Sequence, residues 1–205
     1  MIAWLIRMIT GVQARWLGVA PTEPDGALPQ RIYFANHTSN LDAPVIWASL
    51  PRPIRRRTRP VAARDYWLGD PVRRWLATRV FRAVLIERKK VTVRANPLLD
   101  MQAALDAGDS LILFPEGGRS GADEAELHAF KPGLWRLARR NPGVQLVPVH
   151  LENLNRILPR GGVLLVPLLA AVKFGAPLER VAGEQKHDFL RRARTAVAAM
   201  AEHER

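Results

Sequence analysis

The chain has 205 residues, 48% of them hydrophobic and 24% charged, enough to bury the core of one domain with at most a small appendage. It contains no cysteine, which excludes disulfides, thiolate metal sites and a cysteine nucleophile. Its formal charge of +12 points to an anionic partner (nucleic acid, a lipid surface or a phosphorylated substrate), and 14 basic residues against Asp65, Asp70 and Glu87 put +11 of it between Arg52 and Arg94.

Residues 1–20 read as one amphipathic helix, with Ile2, Leu5, Ile9, Val12 and Trp16 on one side and Arg7, Thr10 and Ala14 on the other. Trp4, Trp16, Arg7 and Arg15 are the mixture expected of a helix lying in a membrane interface. Packing on the chain's own domain is the alternative. Arg7 interrupts the apolar part and no basic residue precedes it, which argues against a signal peptide. No charge-free run approaches the roughly 20 residues that span a bilayer. Pro21 to Pro29 reads as a loop, and the main domain is expected over residues 28–205.

Ile32-Tyr33-Phe34-Ala35 has the brevity and the aromatic, β-branched content of a buried strand. Asn36-His37-Thr38-Ser39-Asn40-Leu41-Asp42 then forms a polar turn, with Ser39 or Asn40 able to cap the next helix and Pro44 suited to its first turn. The bend from strand to helix brings Asp42 back towards His37. A carboxylate there can hold the imidazole in one tautomer and leave its other nitrogen to take a proton. By itself, a His beside an Asp in such a turn is more often a capped, hydrogen-bonded structural loop.

Prolines between Pro51 and Pro60 predict an extended, exposed segment carrying Arg52, Arg55, Arg56, Arg57 and Arg59, either solvated or docked on anionic headgroups. Val61-Ala62-Ala63 reads as a strand. Tyr66 to Phe81 reads as one helix with Trp67, Val72, Trp75, Leu76 and Val80 inward, and Phe81 to Arg88 as a strand ending in Glu87 and Arg88. Asn96-Pro97 opens a helix that Gly108 stops. Leu111 to Phe114 is a strand delivering Pro115-Glu116-Gly117-Gly118-Arg119-Ser120, where both glycines permit positive φ and offer N–H groups to a phosphate or an oxyanion. Phe130-Lys131-Pro132-Gly133 opens a helix to Arg140, and Val144 to His150 is a strand in which His150 reads as structural. Val163 to Val172 is apolar but too short to span. Val172 to Gly175 supplies a late strand, and Lys186 to Glu202 a closing helix with Phe189, Leu190, Ala193, Val197 and Met200 inward.

Two of these stretches together resemble the glycerophospholipid acyltransferase family, which includes 1-acylglycerol-3-phosphate acyltransferase. Its first block, N-H-x-S-x-x-D, is matched by Asn36, His37, Ser39 and Asp42. Its third, F-P-E-G-T-R-S, is matched from Phe114 to Ser120 except at Gly118, where the family usually has Thr. Phe81 to Arg88 resembles the second block, with Glu87 for the commoner Asp. Phe130-Lys131-Pro132-Gly133 is similar to the family's F-K-x-G, and Val147-Pro148-Val149 to its fourth block.

The resemblance implies transfer of an acyl group from a thioester, on acyl-CoA or acyl carrier protein, to the hydroxyl of a lysophospholipid, with no cofactor. His37 would be the general base and Asp42 its orienting partner. Arg88, Glu116, Gly117, Gly118, Arg119 and Ser120 would bind substrate, with Arg88 on the acceptor's phosphate. Asn36, Ser39 and Lys131 are further candidates, and Pro148 would help wall the acyl site. The expected fold is a single α/β domain with a mixed, largely parallel sheet flanked by helices, plus the N-terminal amphipathic helix. The expected location is the cytoplasmic face of the inner or cell membrane, on an anionic phospholipid surface.

Other acceptors remain open at this point: glycerol-3-phosphate, a headgroup-bearing lysophospholipid or an amino-acid lipid. A nucleic-acid-binding protein would explain the charge, but no recognition motif is present and the tryptophans sit in helical patterns. A metallohydrolase would use His37, Asp42, Glu116 and His150, but these lack metal-ligand spacing.

Overall fold

In the computed structural model of the chain, residues 1–87, 96–118, 127–154 and 170–202 are described. Among these residues, seven strands make one sheet in the order β1-β7-β6-β2-β5-β3-β4. They are β1 (Gln13–Trp16), β2 (Arg31–Ala35), β3 (Thr58–Ala63), β4 (Val84–Ile86), β5 (Ser110–Leu113), β6 (Gln145–Glu152) and β7 (Ala171–Phe174). β2 to β6 run parallel, β7 is antiparallel to β6, and β1 is parallel to β7. This is the mixed, largely parallel sheet that the alternating pattern predicts. β2 lies near its middle and is buried at all five residues, as a strand covered on both faces must be.

Alternate residues of β2 feed two cores. Ile32 and Phe34 join the core beneath α6 (Pro97–Asp106), α7 (Gly133–Arg140) and α8 (Lys186–Glu202). Tyr33 and Ala35 join the core beneath α2 (Asp42–Ser49), on which α1 (Ile2–Thr10) packs through Ile6. Right-handed crossovers explain the division. The connections from β2 to β3 and from β3 to β4 move one way across the sheet and fall on the second face. Those from β4 to β5 and from β5 to β6 move the other way and fall on the first. In α8 the periodic residues Phe189, Ala193, Val197 and Met200 are buried and Leu190 half-buried, as expected.

Three local expectations are corrected. The N-terminal helix does not run to Ala20. It stops at Thr10 because Gly11 turns left-handed (φ 58°), and Gln13–Trp16 becomes an edge strand. Ala3, Ile6 and Thr10 face inward, while Trp4, Leu5, Met8 and Ile9 face out. The arginine stretch is not extended: Arg52–Arg56 forms a short helix, α3, with Pro51 as its cap and Pro53 in the first turn, where a missing N–H costs nothing. Tyr66 to Phe81 is not one helix. It splits into α4 (Arg64–Trp67), α5 (Pro71–Trp75) and a π-helical turn, Leu76–Val80. Pro71 has no N–H to continue α4, and Asp70 caps the new start by accepting from the Arg73 N–H at 2.9 Å. Val72 and Trp75, expected inward, are 64% and 51% exposed.

Candidate active site

β2 and β5 are neighbours and parallel, with Phe34 opposite Leu113, so the loops that follow them leave the same edge of the sheet. The first loop carries His37 and the second Glu116. At the start of α2 the buried Asp42 turns one oxygen, Oδ2, back into the first loop. There it meets His37 Nδ1 at 2.8 Å and accepts the Thr38 and Ser39 N–H groups at 2.6 and 2.9 Å. The carboxylate therefore closes the turn and fixes the imidazole together. With the proton on Nδ1, Nε2 is left as the basic nitrogen. Leu41 is the residue that precedes α2, so neither Ser39 nor Asn40 caps it. Ser39 Oγ instead accepts from the Leu41 N–H at 3.3 Å.

Glu116 is buried, and its carboxylate holds two loops at once. One oxygen accepts the His37 N–H at 3.0 Å and the other the His128 N–H at 2.9 Å. It does not line the cavity described below. Asn36 braces the other side of β2, exchanging two hydrogen bonds with the backbone of Leu151 at 3.0 and 2.8 Å. Phe114, which no periodicity singles out, stacks on the His37 ring with centroids 4.3 Å apart and planes 23° from parallel. Carboxylate, ring and backbone anchors thus over-determine the position of one imidazole.

A cavity of about 810 Å³ opens beside this imidazole. His37, Asn40 and Gly117 border it at the sheet edge, as do Tyr66 and Trp67 of α4. Its apolar wall comes from Val61 and Ala62 of β3, Leu98 and Met101 of α6, Leu113 of β5, and Leu134 and Leu137 of α7. That volume and lining suit a long apolar ligand. Lys131 also borders it, and its backbone N–H is tied to the Pro115 carbonyl at 2.8 Å. The Lys131 side chain crosses so close over Gly117 (φ 69°) that any Cβ there would collide with it. Only the first of the two glycines has positive φ, and its N–H already bonds to the Phe114 carbonyl at 3.0 Å. Gly118 faces open space, so the missing threonine is not a steric requirement.

Not every expected residue joins the site. Arg88, Arg119, Ser120 and most of the apolar stretch from Val163 lie outside the described residues. Pro148 does not border the cavity. It packs in β6, where its carbonyl accepts the Gly175 N–H at 2.9 Å. His150 sits apart from His37, in a buried cluster with Glu152 (3.7 Å) and Lys173. Burial pushes its ring down to about 4, with Glu152 pulling the other way and Lys173 adding to the fall. Lys173 in turn donates to Glu152 at 2.7 Å and to the Met200 carbonyl at 3.0 Å. Among the described residues no three metal-ligating side chains are gathered to hold an ion, and no helix is long and apolar enough to cross a membrane.

A family model described as Acyltransferase matches residues 26–152. No curated protein matches the sequence. Among solved structures, the chain is similar to the crystal structure of the 1-acyl-sn-glycerophosphate (LPA) acyltransferase PlsC from Thermotoga maritima. The TM-score is 0.73 at 20% identity, over 98% of this chain and 78% of that one.

Proposed function

The chain belongs to the acyltransferase family, and from that premise we propose that this O-acyltransferase esterifies the free hydroxyl of 1-acylglycerol-3-phosphate with an acyl group from acyl-CoA or acyl carrier protein, giving phosphatidate at a membrane surface. One observation carries the reading: a histidine held at 2.8 Å by a fully buried aspartate, bordering a cavity large enough for a lipid chain. His37 Nε2 takes the acceptor's hydroxyl proton as its oxygen attacks the thioester carbonyl carbon. Asp42 steadies the imidazolium so formed. As the tetrahedral intermediate collapses, the carbon–sulfur bond breaks and His37 returns the proton to the departing thiolate. No acyl-enzyme is required. The Gly117 N–H is already bonded to the Phe114 carbonyl, so stabilising the oxyanion falls to another donor. Arg88 and Arg119 are assigned to the phosphate, which a planar guanidinium can grip through two oxygens.

The test is acceptor choice. Purified protein is incubated with labelled acyl-CoA and either lysophosphatidate or its dephosphorylated analogue. The label is expected in phosphatidate, and Arg88→Ala or Arg119→Ala should raise the apparent KM for lysophosphatidate far more than for the analogue. Transfer only to a headgroup-bearing lysolipid would replace this acceptor with another.

A further inference from the structure

Among the helices of the described residues, most large exposed apolar side chains lie on one side of the sheet. α1 shows Trp4, Leu5, Met8 and Ile9, and α5 shows Val72 and Trp75, whereas α6, α7 and α8 together show only Leu99. α1 and α5 belong to the same face of the sheet. α1 packs on α2, and Trp47 of α2 meets Phe81, at the end of the π-helical turn that continues α5, with centroids 5.1 Å apart. Phe81 in turn contacts Trp67, a residue of the cavity wall, at 6.0 Å.

The same face carries positive charge. Arg7, Arg52, Arg56, Arg74 and Arg79 are all exposed. Arg55, lying 5.1 Å over the Trp47 ring, has its pKa lowered by burial and then by the charges of Arg7 and Arg52, which places α1 and α3 within electrostatic reach of each other. A crowd of guanidinium groups around exposed tryptophans repels itself in water and is relieved against an anionic, partly apolar surface.

We propose that this face docks on an anionic phospholipid bilayer at two separated points, α1 and α5, and that Val72 and Trp75 of α5 enter the headgroup layer beside the α4 segment that walls the cavity. α5 is too short to be an anchor alone, so it adds to α1 and sets the orientation in which the cavity meets the lipid. The inference rests on the reading that the enzyme works at a membrane surface.

Because the chain lacks cysteine, single-site labelling is clean. Val72→Cys and, on the opposite face, Leu99→Cys carry an environment-sensitive fluorophore. Vesicles are phosphatidylcholine with or without phosphatidylglycerol. The probe at 72 should shift to the blue with anionic vesicles and the probe at 99 should not. Trp75→Ala should weaken co-sedimentation about ten-fold while its thermal midpoint stays unchanged, since the side chain is half exposed. If the unmodified protein sediments with anionic vesicles but the probe at 72 is unmoved, or Trp75→Ala binds as well as wild type, α5 is not a contact and only this inference falls. If the unmodified protein ignores vesicles, the membrane reading falls with it. A dimer that Trp75→Ala dissociates would show that a second copy covers the patch, and would overturn the proposal.

Discussion

Three donors converge on one oxygen of Asp42: His37 Nδ1 and the Thr38 and Ser39 N–H groups. Asp42→Asn keeps the size but at best offers one neutral oxygen to three donors, and it no longer steadies an imidazolium. Steady-state kinetics should show kcat lower by roughly 10²- to 10⁴-fold with KM little changed. An equal rise in KM would instead mean that the substitution reshaped the cavity. Glu116→Gln makes a different prediction. Its carboxylate satisfies two backbone N–H groups on separate loops, and an amide turns one acceptor into a donor facing a donor. Leaving a buried N–H unsatisfied costs about 1–3 kcal/mol, so the variant should lose stability in urea as well as activity. The His37–Asp42 pair was legible in the sequence because the strand, turn and helix that create it span only a few consecutive residues. The Phe114 stack and the brace from Glu116 to His37 were not, because both depend on β5 lying beside β2, a long-range choice that no local pattern encodes.

At the scale of elements, most strands and the long helices followed their periodicity; the N-terminal helix failed at the left-handed Gly11, and the other two failures came where proline has two meanings. From the sequence, Pro51 and Pro53 are breakers and a continuous helix runs through Pro71, yet each proline starts or sits in the first turn of a helix, the one place where its missing N–H is harmless. A continuous helix from Tyr66 would put Trp75 inward, and the restart at Pro71 turns it outward. β6 carries a testable consequence of burial. His150 titrates near its ordinary 6.5 in the unfolded chain and at about 4 in the fold, so between these values the unfolded chain binds more protons. Stability from this group is therefore complete above pH 6.5 and is lost as pH falls towards 4, by up to roughly 3 kcal/mol. Urea titrations across that window should show the decline, and His150→Gln should flatten it. An unchanged slope would mean that other groups set the acid limb.

Across the whole molecule, the sheet separates two tasks. One face, under α6, α7 and α8, surrounds the apolar wall of the cavity, while the other presents α1, α3 and α5 with their arginines and exposed tryptophans. The chemistry sits on the shared edge, where the parallel strands end and their loops meet. The excess of charge was plain in the sequence, but the placing of α3 and α5 on one face was not, because it required the crossovers on either side of β3 to fall on the same side of the sheet. The catalytic role of His37 is tested most directly by acyl transfer from labelled acyl-CoA to lysophosphatidate, with purified wild type and His37→Ala compared at equal thermal midpoint. Labelled phosphatidate is expected from the wild type, with a loss of at least about 10²-fold in the variant. Turnover by His37→Ala close to that of the wild type would contradict that role.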